Sequence, residues 1–378
     1  MRILVAPDKF KGTLTAAEAG AAIRTGLHTV DAAWQIDVLP FADGGDGTVD
    51  AVIAVGAELR FDSVSGPLGV PVIARWAILD GTAIIETAEA CGLRHVAPSP
   101  ETARAASSRG VGELMLRALD AGCRRIVLGI GGSASTDAGA GALVALGAQI
   151  LGEKGSRVDD GGAGLGSASV VDLAGMDPRI AESDILLCAD VLSPYAGHFG
   201  AAEVYGPQKG ADAGAVADLA HGLRTFARAI ATATGLDLEN DLEGGGAGGM
   251  VGGLRAGLGA RPVRGVDLVA DLLGLDEHLD GCSAVIVGEG SLDDQSVFGK
   301  APVGIAERAR DRGIPALAVA GVSTLDPVRA TEHGIAAIVS AAEIAGSAAA
   351  AMDEPRRWVE AAGAECGRWI GVRKKESV

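Results

Sequence analysis

Short apolar runs that stop at proline, aspartate or glycine, each followed by a stretch of helical periodicity, set the rhythm of this chain. Residues 3–6 are apolar and end at Pro7, which predicts a strand; Thr15-x-x-Glu18 then reads as a capping box ahead of apolar Ala19, Ala22, Ile23 and Leu27. Residues 36–41 predict a second strand whose carboxyl end delivers Asp43 and Asp46 into a glycine turn before a helix over 49–55. The pattern changes between 62 and 90, where 75–79 and 82–86 alternate around Asp80-Gly81, a hairpin signal that predicts an inserted antiparallel element. Helical period returns over 112–121, followed by a strand over 125–130, a helix over 138–146 and a polar, glycine-dense loop over 155–166. A buried strand is expected over 185–189, ending at Asp190, and a long helix over 213–234. The last third alternates strands (284–287, 316–320, 336–339) with helices (303–312, 326–333), the pattern of βαβ units. A closing amphipathic helix is expected over 358–369, with a solvated basic tail at 373–376. The fold class is therefore α/β, with no solenoid repeat.

Composition narrows what such a fold could do. A chain of 378 residues has room for two domains at about 150 residues each. With 57 glycines and only 3% aromatics, the interior must rest on Ala, Val, Leu and Ile, with close backbone contacts. A formal charge of −17 argues against nucleic acid as a partner, because polyanion binding needs clustered Lys and Arg. It does not exclude a small anion, since a few cations can make one cleft locally positive. Cys91, Cys123, Cys188, Cys282 and Cys366 are widely spaced and apolar in context, which reads as reduced thiols of a cytoplasmic protein. No apolar segment approaches the length of about 18 residues needed for a membrane span, and the N-terminal run is too short for a signal-peptide core.

The candidate chemistry sits in glycine-rich turns at strand ends. In 129–137 an apolar strand runs into Gly131-Gly132-Ser133-Ala134-Ser135-Thr136-Asp137, which would aim N–H groups and hydroxyls at an anion; the alternative is a well-capped helix with Asp137 on its dipole. Asp43, Asp190 and Asp293 each follow a predicted strand, at the edge where α/β proteins bind ligands. Singly, each also reads as an Asx-turn former or N-cap; three at one edge favour chemistry. Lys9, Lys11, Lys209 and Lys300 sit in or beside glycine turns, as phosphate partners would, although a solvated lysine is the default for any one of them. Gly244-x-Gly246-x-x-Gly249 matches a dinucleotide fingerprint but lacks a preceding strand, so a hinge or a close helix contact competes with it. The six histidines show neither metal-ligand spacing nor a catalytic triad.

Taken in order, Ala6-Pro7-Asp8-Lys9-Phe10-Lys11-Gly12, Ala42-Asp43-Gly44-Gly45-Asp46-Gly47-Thr48, Gly129-Ile130-Gly131-Gly132-Ser133-Ala134, Tyr205-Gly206-Pro207-Gln208-Lys209-Gly210-Ala211 and Gly288-Glu289-Gly290 with Gln295-Ser296 and Gly299-Lys300-Ala301-Pro302 resemble the bacterial glycerate kinase type-1 family over nearly the whole chain. The resemblance implies ATP-dependent phosphorylation of D-glycerate with Mg²⁺, most often at the 2-hydroxyl and otherwise at the 3-hydroxyl. It also implies two α/β domains with the active site in the cleft between them. The first, Rossmann- or flavodoxin-like, would be discontinuous over 1–60 and 275–378; the second, mixed and holding the antiparallel element, would cover 61–274. Asp190 is assigned as the base, with Asp43 and Lys11 also catalytic. Gly131, Gly132, Ser133, Lys209, Glu289 and Lys300 are assigned to the nucleotide and its phosphates, with the glycerate carboxylate as the alternative occupant of the 131–133 turn, and Asp293 and Asp43 to the metal or, alternatively, to the role of base. Ser107, Ser108 and Arg109 are expected to help with the glycerate carboxylate. The partner is thus a small molecule, and a homodimer is left open. Ser135-Thr136-Asp137-Ala138, Ser291 and Asp46 depart from the family pattern of Thr-Asn-Asp-Gly, Arg and Glu. A non-catalytic organic-acid-binding protein and a kinase of another hydroxy acid are the alternatives; a dehydrogenase would need its glycine fingerprint directly after the first strand.

Overall fold

The computed structural model describes residues 1–376 apart from 190–192, 295 and 298, with backbone alone for 374–376. The chain divides into two compact units. The first comprises Met1–Asp43, Asp50–Gly56 and Arg264–Val378, and the second Gly44–Val49 and Ala57–Val263. The strands are β1 (Arg2–Pro7), β2 (Gln35–Val38), β3 (Glu58–Ser65), β4 (Pro71–Leu79), β5 (Thr82–Glu86), β6 (Arg125–Gly129), β7 (Gln149–Leu151), β8 (Val170–Asp172), β9 (Asp184–Cys188), β10 (Arg261–Val263), β11 (Ala284–Leu292), β12 (Ala316–Ser323) and β13 (Ile335–Ser340).

The first unit is built on a five-stranded sheet in the order β13-β12-β11-β1-β2, parallel throughout. Its inner strands β1, β11 and β12 open as buried apolar runs because both faces are covered, as parallel sheets require, whereas the edge strand β2 carries Gln35 and Asp37. Helix Ala16–Val30 opens with the expected capping box, Thr15 to the Glu18 N–H and Glu18 back to the Thr15 N–H, and buries Ala19, Ala22, Ile23 and Leu27. Full burial of side chains such as Ile23 or Leu27 contributes about 1.5–3 kcal/mol each. The terminal helix Pro355–Glu376 lies against it. A Cβ at Gly26 would fall on the Glu360 carbonyl and one at Gly363 on the backbone of Ile23, so glycine lets the two helices meet backbone to backbone. This helix also runs on through the expected solvated tail. The second strand is shorter than expected because Pro40 has no N–H to give the ladder; Leu39 and Phe41 on either side still donate to Val5 and Pro7 of β1. From β1 the chain moves outward to β2, whereas β11, β12 and β13 step the other way. The switch point therefore lies between β1 and β11.

The second unit holds a six-stranded sheet in the order β10-β9-β6-β5-β4-β3. Strands β5, β6, β9 and β10 are parallel, and β3, β4 and β5 form an antiparallel meander. The β4–β5 turn has positive φ at both Asp80 (47°) and Gly81 (76°), the geometry that selected Asp-Gly. Helix Ala213–Thr234 is bounded by the Asp212 cap and by Gly235 in a left-handed conformation. Residues 238–242 form no strand, and the glycines after them serve packing. Helix Gly246–Leu258 contains left-handed residues at 247–249, and a Cβ at Gly253 would fall on the Ala138 carbonyl. The close-contact reading of that glycine segment is the correct one. Among the described residues, no helix is long and apolar enough to cross a membrane.

Candidate active site

In the first unit the carboxyl edge of the parallel sheet opens into a cavity of about 440 Å³. Its polar lining comes from strand ends and the turns after them: Asp8, Lys9 and Lys11 follow β1, Asp43 follows β2, Glu289 and Ser291 lie on β11, and Lys300 precedes helix Ala301–Arg310. Glu289 sits between Gly288 and Gly290 because the chain after β1 crosses there. A Cβ at 290 would meet the Lys11 N at 3.1 Å and the Phe10 Cα at 3.2 Å. Asp8 is at the switch point itself, 8% exposed, with its N–H donating to the Gly288 carbonyl at 2.8 Å and its Oδ1 accepting the Lys9 N–H at 2.6 Å. Burial, with the Asp43 and Glu289 carboxylates close by, pushes the Asp8 carboxyl up to about 7. Burial likewise raises Glu289, although Lys300 Nζ donates to its Oε1 at 2.8 Å. The other oxygen, Glu289 Oε2, is buried without a hydrogen-bond partner. Three coupled carboxylates, one with an orphaned oxygen, make an oxygen-donor set that suits a hard divalent cation. Among the described residues no group of three or more His, Cys, Asp or Glu side chains is assembled as a metal cage.

The second unit treats its strand ends differently. Glu86 closes β5, is 1% exposed, and accepts from the Gly47 N–H at 3.0 Å and the Val49 N–H at 2.8 Å. Burial, with Asp46 and Glu89 nearby, pushes it up to about 7. After β6, the loop 130–139 is fixed from several sides. Thr87 donates to the Gly131 carbonyl and Leu93 to that of Gly132, while Ala134 donates to the Cys91 carbonyl. Asp137 accepts from the Ser108 N–H and hydroxyl, both at 2.8 Å, and from the N–H groups of Gly139 and Gly141 at 3.2 Å. The capping alternative thus accounts for Asp137, which ties the start of helix Ala140–Ala145 to the 107–109 turn. Lys209 is 4% exposed; its Nζ donates to the Ser135 carbonyl at 2.5 Å and lies 3.5 Å from Ser133 Oγ. Burial lowers its pKa to about 8, and the same burial raises the neighbouring Cys91 thiol to about 12. Left-handed Ala138 (φ 54°) and Ala247 (φ 52°) flank this cluster, a concentration of backbone strain characteristic of functional loops.

Residues 3–371 match the glycerate kinase family. The chain belongs to that family. It is 41% identical to glycerate 2-kinase of Escherichia coli (strain K12) over 344 residues, 90% of each chain. It is 37% identical to glycerate kinase of Bacillus subtilis (strain 168), again over 90% of both. A crystal structure of a protein named glycerate kinase 2 from Salmonella typhimurium LT2 superposes with a TM-score of 0.85 at 34% identity, covering 99% of each chain. The protein is accordingly a kinase, with a mixed α/β fold.

For a kinase of this family the placement of each expected residue matters. Lys11, Asp43, Glu289 and Lys300 line the first unit's cavity. Gly131, Gly132 and Ser133 lie in the second unit's buttressed loop. Lys209 does not stand free as an anion binder; its ammonium is buried beneath that loop and used on it. Asp293 does not line the cavity either. Its Oδ1 accepts the Ser296 N–H at 3.1 Å, a local turn of the kind a lone Asp favours. Ser108 is taken up by Asp137, and Arg109 pairs with Asp160 at 3.1 Å. Asp190 lies outside the described residues. Asp8 and Glu86 were missed, although each is a carboxylate closing an apolar strand, the same signal that singled out Asp43.

Proposed function

We propose that the protein is an ATP- and Mg²⁺-dependent glycerate kinase that transfers the γ-phosphoryl group to D-glycerate, at the 2-hydroxyl with the 3-hydroxyl as the alternative. The observation that carries this is the cavity at the switch point of the parallel sheet, where Asp8, Asp43 and Glu289 stand with Lys9, Lys11 and Lys300. Phosphoryl transfer asks little covalent chemistry of a protein; it needs positioning, cations around the phosphates and a proton acceptor at the attacking hydroxyl. Asp43 and Glu289 are the residues that would hold Mg²⁺, whose chemistry when bound is to neutralise charge building on the phosphate oxygens. Lys11 supplies an exposed ammonium toward the transferring group. Lys300, kept in place by Glu289, supplies a second. The glycerate oxygen forms its bond to the γ-phosphorus as the bond from that phosphorus to the ADP oxygen breaks. The hydroxyl proton passes to a carboxylate.

Asp8 fits that last task by position, and Asp190 is the acceptor assigned from the sequence; single replacement of each by Asn separates them. The 131–133 turn is assigned to an anion, either the glycerate carboxylate or a phosphate. The two compact units are taken as the two domains of the family, and a cytoplasmic location is the reading in keeping with five unpaired cysteines. The test is ATP turnover with Mg²⁺ and D-glycerate, L-glycerate, tartronate or hydroxypyruvate, with products resolved by phosphorus NMR. D-glycerate-dependent ADP release with one phosphoglycerate is expected. Turnover only with another acid would move the enzyme to a different substrate, and silence with all of them would leave a binding protein.

A further inference from the structure

The first unit's cavity changes character along the sheet edge. Every charged residue lining the cavity follows β2 or β1 or belongs to β11 and the segment after it, where Phe10, Thr13, Gly290 and Ser291 also line it; Gly321 and Val322 on β12 and Ala341 after β13 add no charge. Beyond β13, the helices Ala348–Asp353 and Pro355–Glu376 add Ala348, Ala351, Met352 and Val359, again without a polar side-chain atom. Adjacent strands are about 5 Å apart, so β12 and β13 lie roughly 5 and 10 Å from the carboxylate end at β11. Ala348 and Met352 are one helical turn apart and both exposed, Met352 at 63%, with Ala351 buried behind them. A flexible thioether at the mouth of an apolar slot is a side chain that adapts to a flat ring. A ligand charged at one end and flat and apolar at the other would match both ends of this cavity at once.

We propose that the Ala341, Ala348, Ala351, Met352 and Val359 end of this cavity is the subsite for the purine ring of the nucleoside triphosphate, with the phosphates toward Lys11 and Lys300. This assignment rests on the kinase reading above. The alanines act by being small: they leave the width that a ring occupies, and Met352 closes over its face. Replacing Ala348 by Trp fills the slot from an exposed helix position and leaves the core untouched.

The test is calorimetric titration of the full chain, in Mg²⁺, with ATP and separately with tripolyphosphate, which carries the phosphates without the ring. Ala348→Trp is expected to weaken ATP at least about tenfold while changing tripolyphosphate less than about twofold, the scale of a pocket steric effect. Met352→Glu, at an even more exposed site, should show the same selectivity, with thermal melting confirming that both variants fold. Unchanged ATP affinity in both variants, equal loss of both ligands, or a wild type that does not bind ATP would overturn the subsite. Turnover of D-glycerate by the wild type is scored separately. ATP binding that is ring-selective without turnover would sink the kinase reading and keep the subsite; turnover with insensitive variants would do the reverse.

Discussion

At the carboxyl ends of its strands the first unit leaves Asp8, Asp43 and Glu289 facing a cavity, whereas the second unit buries Glu86, Asp137 and Lys209 and gives them backbone partners. Glu86 closes β5 much as Asp8 follows β1, whereas Asp137 lies in the loop after β6 and Lys209 in a short turn after helix Ala201–Tyr205; the chemistry available to the two sets differs. A buried charge tied to backbone donors or acceptors holds those neighbours in register, although Glu86 Oε2 itself has no hydrogen-bond partner. A charge facing open volume beside other carboxylates is ready for a cation or a proton. In the proposed reading the first edge reacts, and the second holds a loop in one shape.

On the second unit's side, the largest test of that contrast is Lys209→Met. It should leave the Ser135 carbonyl buried without its donor, costing about 1–3 kcal/mol, and lower kcat/KM about 10–100-fold as the 131–139 loop loosens. Thermal melts and steady-state kinetics read both. The pH dependence has a defined sign. Burial depresses the lysine pKa to about 8, so the fold disfavours the charged form: its contribution is present above the ordinary value of 10.5 and lost as pH falls through about 8. The methionine variant should lack that slope, and a wild type equally stable at pH 7 and pH 10 would argue against it.

A pair of glycines sharpens the comparison. Gly248→Ala places a Cβ on the Ser135 carbonyl at φ +70° and should destabilise by about 1–3 kcal/mol. Gly12→Ala, at φ +81° with open space around it, should cost only the left-handed strain of about 1–2 kcal/mol. Chemical denaturation of both variants gives the order.

The smallest expected effect is at Glu86, whose carboxyl is raised from 4.5 to about 7. Its contribution is complete below 4.5 and lost as pH rises through about 7. Glu86→Gln keeps an acceptor for the Gly47 and Val49 N–H groups, so it should narrow the difference in melting temperature between pH 5 and pH 8, by the equivalent of about 1–2 kcal/mol. An unchanged difference would mean that this carboxyl is not the group responsible.

Much of the first unit was legible because its elements announce their ends. The Thr15 capping box and the apolar runs of β1, β11 and β12 needed only local rules, as did the bounds of Ala213–Thr234 in the second unit. Helices Ala341–Ala345 and Ala348–Asp353 were not legible, since alanine carries little periodic signal and their start depends on the Ser340 and Ser347 caps. Strand β3 was hidden by its exposed edge position, which leaves its pattern polar. At the site, motif context could single out Lys11, Asp43, Glu289 and Lys300, and all four line one cavity, although Glu289 does so from strand β11 instead of a turn. The same context could not tell Lys209 from them, because burial is set by the 131–139 loop and Gly248 packing over it, residues distant in sequence. Asp8 was passed over for the opposite reason: nothing local shows that Asp43 and Glu289 crowd it.

The most direct measurement of the claim that the first unit's sheet edge performs the chemistry is kcat for Asp8→Asn with ATP, Mg²⁺ and D-glycerate. Asn keeps an acceptor for the Lys9 N–H, so the turn should survive, and the account predicts a fall in kcat of about 10²–10⁴-fold with melting temperature at pH 8 unchanged or raised. A kcat within about twofold of wild type would contradict it.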